Sequence, residues 1–130
     1  MMRSKQVLII EDNLISLQLM TYLLENAGCS VNTALEGHGG LEKAALLKPD
    51  LIICDVHLPG IDGYQVAAAL KAQPGLAEIP LVAVTALAMV GDREKLLTGG
   101  FDFYISKPSE PEIFATQILA VAEREGVKIG

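Results

Sequence analysis

Five short apolar runs recur along the chain, and they restrict its fold more than any other feature. They occupy residues 7–10, 30–34, 51–54, 81–84 and 103–105. Most are apolar at every position rather than at alternate positions, which is typical of strands buried on both faces of a parallel sheet. The runs therefore predict a five-stranded sheet covered on both sides.

Stretches with helical character separate these runs, at about 13–27, 39–47, 64–72, 92–99 and 111–125. Gly28 is a suitable stop for the first, and Asp92 is a candidate N-cap of the fourth. Ser109 and Glu112 have the spacing of a capping box before the last. Strands that alternate with helices predict right-handed βαβ units. We expect an α/β fold, a flavodoxin-like doubly wound sheet of five parallel strands in the order 2-1-3-4-5, with five helices.

The length of 130 residues suits one domain. We assign residues 5–126 to that domain and residues 1–4 and 127–130 to short termini. The net charge of −6 argues against direct nucleic-acid binding. No apolar run has the length of a membrane span, and Cys29 and Cys54 show no disulfide or metal-ligand spacing. These features favour a cytoplasmic protein with reduced thiols.

The first predicted helix is apolar around much of its circumference. One face has to pack on the sheet, and the remainder exceeds what a single core-facing stripe requires. Two interpretations stay open: a helix that is apolar without functional consequence, or a docking or dimerisation face.

Polar residues follow four of the five apolar runs. Glu11 and Asp12 follow the first run, Asp55 the third, Thr85 the fourth and Lys107 the fifth. In an open parallel sheet, ligands bind beyond the carboxyl ends of the strands, where the strand order reverses. For the order 2-1-3-4-5, that point lies between strands one and three. We therefore expect the three carboxylates to share one crevice.

Three clustered carboxylates repel one another unless a cation is bound or a proton is taken up. Oxygen ligands suit Mg²⁺, while a lysine and a threonine hydroxyl suit a phosphate group. Asp55, at the end of a central strand, is the natural nucleophile, because an aspartate can form an acyl phosphate. The residues together predict a phosphoryl-transfer site.

Four segments of the chain resemble the receiver domain of two-component signalling. They are residues 7–13 (VLIIEDN), 49–63 (PDLIICDVHLPGIDG), 80–86 (PLVAVTA) and 99–108 (GGFDFYISKP). The resemblance extends from about residue 6 to residue 123 and is strongest to single-domain receivers and the receivers of hybrid kinases.

The resemblance implies a role for each residue of the crevice. Asp55 would accept the phosphoryl group, and Mg²⁺ would be held by Glu11, Asp12, Asp55 and the backbone carbonyl of His57. The domain would catalyse only its own phosphorylation and dephosphorylation. Its partners would be a histidine kinase or histidine phosphotransfer protein and a downstream protein target, with the domain itself a monomer or weak homodimer.

The resemblance also implies a switch. Lys107 would pair with the phosphoryl group, and Thr85 would move to form a hydrogen bond with it. Tyr104 would then turn inward, and the Lys107–Pro108 peptide would be cis. The receiver pattern leaves the cognate kinase, the downstream target and the phosphate lifetime undetermined.

Three other functions share features with this pattern of residues. A phosphatase of the haloacid dehalogenase type needs a second aspartate two residues after its nucleophile, where this chain has His57. A flavodoxin needs a phosphate loop after the first strand, where Glu11 and Asp12 would repel the phosphate. A receiver-like docking module that works without phosphate remains the main alternative, and Mg²⁺-dependent phosphorylation discriminates it from a phospho-receiver.

Overall fold

The computed structural model describes residues 4–86, 92–107 and 111–123, in which five strands alternate with five helices. The strands are β1 (Gln6–Ile10), β2 (Ser30–Ala34), β3 (Leu51–Asp55), β4 (Leu81–Thr85) and β5 (Phe103–Ser106). The helices are α1 (Leu14–Asn26), α2 (Gly37–Leu47), α3 (Gly63–Lys71), α4 (Asp92–Thr98) and α5 (Pro111–Glu123).

The five strands form one parallel sheet in the order β2-β1-β3-β4-β5. This confirms the flavodoxin-like, doubly wound architecture. The chain first runs outward from β1 to β2 and then returns across β1 to β3, where Val7 is in register with Leu51. The strand order therefore reverses between β1 and β3, and the crevice lies beyond their carboxyl ends.

The sheet separates two apolar layers, and alternate residues of each central strand enter different layers. In β1, Leu8 and Ile10 pack in the layer that contains residues of α2, α3 and α4. Val7 and Ile9 pack in the layer that contains residues of α1 and α5. Because both faces are covered, a central strand is apolar at every position, which explains the continuous runs in the sequence.

Helix α2 begins at Gly37, two residues before the predicted start at Gly39, so that boundary was wrong. Glycines lower helix propensity, and the sequence has three of them here. The Glu36 side chain compensates by accepting hydrogen bonds from the backbone N–H groups of His38 and Gly39. A Cβ atom on Gly40 would lie 2.4 Å from Ile10 Cδ1, so the glycine allows α2 to approach β1 closely.

Several other predictions concern residues at or beyond the edges of the described segments. Asp92 is the first residue of α4 rather than its cap. Ser109, predicted to cap α5, lies outside the described residues, as do Pro108 of the peptide predicted to be cis and residues 124–125 at the expected end of α5.

Asp102 stabilises the amino-terminal end of β4, which is the end remote from the crevice. Its Oδ2 accepts hydrogen bonds from Leu81 N at 2.9 Å and from Lys71 Nζ at 3.1 Å. We expect Asp102→Ala to lower the free energy of unfolding in urea by about 1 to 2 kcal/mol, because the Leu81 N–H loses its acceptor. Asp102→Asn retains an acceptor and should lose less; equal stability of both variants and the wild type would contradict this role.

Candidate functional site

The predicted site residues lie at the carboxyl ends of four strands. Glu11 directly follows β1, Asp55 and Thr85 are the last residues of β3 and β4, and Lys107 directly follows β5. One oxygen from each of Glu11, Asp12 and Asp55 lies within 4.8 Å of the others. Glu11 and Asp55 are buried, whereas Asp12 is exposed. The expected acidic cluster therefore forms, with one member open to solvent.

Lys107 reaches across the sheet edge to two of these carboxylates. Its Nζ lies 3.1 Å from Asp55 Oδ2, with hydrogen-bond geometry, and 2.9 Å from Glu11 Oε1. Its backbone N–H donates to the Thr85 carbonyl at 2.8 Å, which fixes the start of the Lys107 side chain beside the end of β4. One cation thus partly neutralises the buried carboxylate pair.

The loop after β3 holds the other side of the Asp55 carboxylate. The His57 backbone N–H donates to Asp55 Oδ1 at 3.0 Å, so the two carboxylate oxygens have different partners. The His57 residue is exposed. Its carbonyl as a metal ligand stays a prediction.

The two predicted switch residues differ in exposure. Thr85 is buried at the end of β4, where it is in register with Ser106 of β5. Tyr104 is in register with Ala83 of β4 and is 37% exposed. Thr85 therefore lies at the edge of the crevice, and the inward turn of Tyr104 on phosphorylation stays a prediction.

Burial dominates the electrostatics of Glu11. Desolvation, followed by the contact with Asp55, raises the pKa of Glu11 to about 7, and the contact with Lys107 opposes this rise. For Lys107, desolvation lowers the pKa, but the contacts with Glu11 and Asp55 outweigh it and the net pKa is raised. The lysine therefore stays charged at neutral pH, and the acidic pair is poised to take up a proton or a cation.

The cluster fits a hard divalent cation. Glu11 Oε1 is fully buried and lies 2.9 Å from Lys107 Nζ. Lys107 supplies one positive charge to a cluster of three carboxylates, and a metal ion would offset the negative charge that remains. The available ligands are all carboxylate oxygens, which suit Mg²⁺ or Ca²⁺ rather than a softer metal. The residues can therefore hold a metal ion.

The raised pKa of Glu11 predicts that the metal-free protein is less stable at higher pH. The unfolded chain loses this proton near the ordinary value of 4.5, whereas the folded protein retains it up to about pH 7. Between these values the folded state binds more protons, so the free energy of unfolding falls as pH rises. In EDTA we expect a loss of about 2 kcal/mol between pH 5 and pH 8, relative to Glu11→Gln. Urea titrations of both proteins test this, and parallel pH profiles would contradict it.

Two residues of the site carry roles that the sequence reasoning missed. Asn13 donates its backbone N–H to Glu11 Oε2 at 3.1 Å, and its side chain caps α1 by accepting from Ser16 N. Its position before an apolar helical stretch was a usable capping signal. Gly63, the first residue of α3, packs against the backbone of Asp55. A single sequence carries no signal that predicts such a close approach.

The cysteines take no part in this chemistry. Both Cys29 and Cys54 are free and buried. Burial raises the pKa of each thiol. They are therefore protonated at neutral pH and are poor metal ligands.

No helix in the part of the chain that the structure describes is both long enough and apolar enough to span a membrane.

The chain is similar in sequence to a known protein family and to a characterised member of it. The model of the family described as "Response regulator receiver domain" matches residues 7–119. The polar-differentiation response regulator DivK of Brucella anthropi is 41% identical over 113 residues, covering 86% of this chain and 92% of that protein.

Two solved structures are similar in three dimensions. The signal receiver domain of a signal transduction histidine kinase from Syntrophus aciditrophicus is 31% identical, with a TM-score of 0.83, covering 98% of this chain and 95% of that one. The receiver domain of sensor histidine kinase PA1611 from Pseudomonas aeruginosa is 27% identical, with a TM-score of 0.82, covering 97% and 100%. The latter was solved with a magnesium ion coordinated in its active site cleft.

Proposed function

The chain belongs to the response regulator receiver domain family, and from this we propose that it accepts a phosphoryl group on Asp55. The donor is a phosphohistidine. In the transfer the P–N bond to the imidazole breaks, an O–P bond to the Asp55 carboxylate forms, and the imidazole leaves. The domain catalyses only its own phosphorylation and dephosphorylation.

The observation that carries this proposal is the position of Lys107. Its Nζ lies 3.1 Å from Asp55 Oδ2, beside a buried acidic cluster that already exceeds what one lysine neutralises. A cation in this position suits the negative charge that develops on a transferred phosphoryl group.

Mg²⁺ is the cation that we assign to the cluster. Glu11, Asp12, Asp55 and the backbone carbonyl of His57 would hold it, and the three carboxylate oxygens that lie within 4.8 Å of one another support this assignment. The magnesium ion in the similar PA1611 receiver domain supports it too. Bound there, Mg²⁺ would neutralise and orient the phosphoryl oxygens.

The signal leaves the site through Thr85 and Tyr104. The Thr85 hydroxyl would form a hydrogen bond with the phosphoryl group, and Tyr104 would turn inward from its present exposed position. The two residues would thereby bias the surface made by α4, β5 and α5, where a downstream protein would bind. A ligand shifts such an equilibrium only by its different contacts in the two states.

Helix α1 is the docking face that we assign to the phosphodonor. It starts beside the acidic cluster, and its exposed apolar side chains include Leu14, Ile15 and Tyr22. Ile15 is 80% exposed, which favours the docking interpretation left open by the sequence. The donor would be a histidine kinase or a histidine phosphotransfer protein in the cytoplasm.

Intact mass measured after incubation with acetyl phosphate tests the proposal. The wild-type protein should gain one phosphoryl group in Mg²⁺ and none in excess EDTA. If no gain occurs, the test is repeated with a phosphorylated histidine kinase as donor. A second failure would overturn the phospho-receiver function and leave a docking module that works without phosphate.

A further inference from the structure

The backbone of Gly63 packs directly on the backbone that carries the Asp55 carboxylate. A Cβ atom on Gly63 would lie 2.6 Å from the Asp55 carbonyl oxygen and 2.7 Å from Val56 Cα. Real Cβ atoms do not approach backbone so closely, so only glycine allows α3 to start here. A shift of the first turn of α3 would therefore move the backbone of residues 55 and 56.

Hydrogen bonds fix both ends of the segment between Asp55 and α3. Gly63 N donates to the Val56 carbonyl at 2.9 Å, and the Asp62 and Gln65 side chains form a reciprocal capping box at the start of α3. Within this segment, His57 N donates to Asp55 Oδ1. The hydrogen bond that orients the Asp55 carboxylate thus depends on where α3 begins.

Tyr64, the next residue, connects the start of α3 to the end of α4. Its ring packs edge-on against Phe101, with ring centroids 5.9 Å apart, and lies under Lys95 Nζ at 5.2 Å. A Cβ atom on Gly99 would lie 2.6 Å from Tyr64 Cδ1, so Gly99 leaves the space that the ring fills. The ring is held between α3 and the turn after α4, and it has no room to move toward Gly99.

We propose that Tyr64 is a positioning residue for Asp55: its ring, held by Gly99, Lys95 and Phe101, keeps Gly63 against Asp55 and so keeps the His57 amide on the carboxylate. This inference rests on the proposed phosphoacceptor role of Asp55. It adds that the end of α4 acts on the reactivity of Asp55 through α3, over a path that includes neither Thr85 nor Tyr104.

Gly99→Ala tests the proposal from a distance, since residue 99 does not touch the acidic cluster. The new methyl group must displace the Tyr64 ring. We expect phosphorylation by acetyl phosphate to slow about tenfold, because a misplacement of about 1 Å can cost about a hundredfold in rate. Mg²⁺ affinity should fall as well. In the metal-free protein, the His57 amide resonance should shift and its protection from hydrogen exchange should decrease.

Gly75→Ala is the matched control. A Cβ atom there meets nothing closer than 3.9 Å, and the nearest atoms belong to the flexible Lys48 side chain. The same chemical change at this position should leave the rate, the Mg²⁺ affinity and the His57 amide resonance unaltered.

The double variant Tyr64→Ala/Gly99→Ala decides whether the ring transmits the effect. Tyr64→Ala alone should slow phosphorylation, because α3 loses its contact with the end of α4. Adding Gly99→Ala should then cause a much smaller further loss than in the wild type, since the ring is gone and the close neighbour that remains is the Lys95 carbonyl oxygen, 3.1 Å from the added Cβ. A further loss equal to that of Gly99→Ala in the wild type would overturn the proposal, because the effect would then travel through β5 to Lys107.

Circular dichroism and urea unfolding establish that each variant is folded at the assay temperature. If Gly99→Ala does not fold, Tyr64→Ala alone carries the test, and an unshifted His57 amide resonance in that variant would overturn the proposal. The amide measurement needs no phosphoryl transfer. Failure of the wild type to accept phosphate would therefore contradict the proposed function without deciding the role of Tyr64.

Discussion

Asp55→Asn is expected to abolish phosphoryl transfer to the protein while the fold is retained. An amide is not a nucleophile for phosphorus, and the asparagine oxygen can still accept the His57 N–H that now meets Asp55 Oδ1 at 3.0 Å. The same change removes one of the two charges that repel each other in the buried pair. The pKa of Glu11, which Asp55 helps to raise, should fall, and Mg²⁺ should bind more weakly.

Asp50→Asn provides the matched control for this variant. Asp50 directly precedes β3, at the end remote from the crevice, and its Oδ2 accepts a hydrogen bond from Gln6 N at 2.8 Å. The control should change stability slightly and leave phosphorylation intact. A full phosphoryl gain by Asp55→Asn under conditions where the wild type reacts would exclude Asp55 as the acceptor.

Lys107→Ala is expected to slow phosphorylation about a hundredfold or more, because a preorganised cation beside the transferred group is lost. It should also lower the free energy of unfolding in EDTA by about 3 kcal/mol, since Glu11 and Asp55 are left buried without their shared cation. Saturating Mg²⁺ should restore part of that stability by replacing the missing positive charge. Phosphorylation rates and urea titrations with and without Mg²⁺ measure both effects.

Lys71→Ala is the control for charge removal at a distance from the site. Lys71 pairs with Asp102 at 3.1 Å, both side chains are partly exposed, and neither touches the acidic cluster. We expect a stability loss of at most about 1 kcal/mol, no response to Mg²⁺ and an unchanged rate. Equal losses for the two lysine variants would show that the Lys107 ion pairs have no special role.

The sequence predicts the fold well because the sheet is buried on both faces. Continuous apolar runs such as residues 51–54 leave few alternatives to a central parallel strand. The alternation with helices and the chain length then favour the flavodoxin-like type of doubly wound sheet, whose strand order is 2-1-3-4-5. The site follows from that topology. Asp55 and Lys107 are 52 positions apart in the chain, yet the rule that parallel strands present their carboxyl ends at one edge brings them together.

Other features depend on side-chain packing that no periodicity encodes. The sequence places Lys107 opposite a phosphate but does not predict its ion pairs with both Glu11 and Asp55. The close approaches at Gly40 and Gly63 depend on where neighbouring elements lie. The early start of α2 was missed because the Glu36 side chain caps a glycine-rich segment of low helix propensity. The 37% exposure of Tyr104 depends on how its side chain packs, and a single sequence carries no signal for that.

The central claim is that Asp55, among the three clustered carboxylates, carries the phosphoryl group. Borohydride reduction of the phosphorylated protein converts an aspartyl phosphate to homoserine, and peptide mass spectrometry then locates the modified residue. The account predicts homoserine at position 55 alone, formed only when Mg²⁺ was present during phosphorylation. Reduction at Asp12, or a phosphoryl group that resists borohydride and maps to another residue, would contradict it.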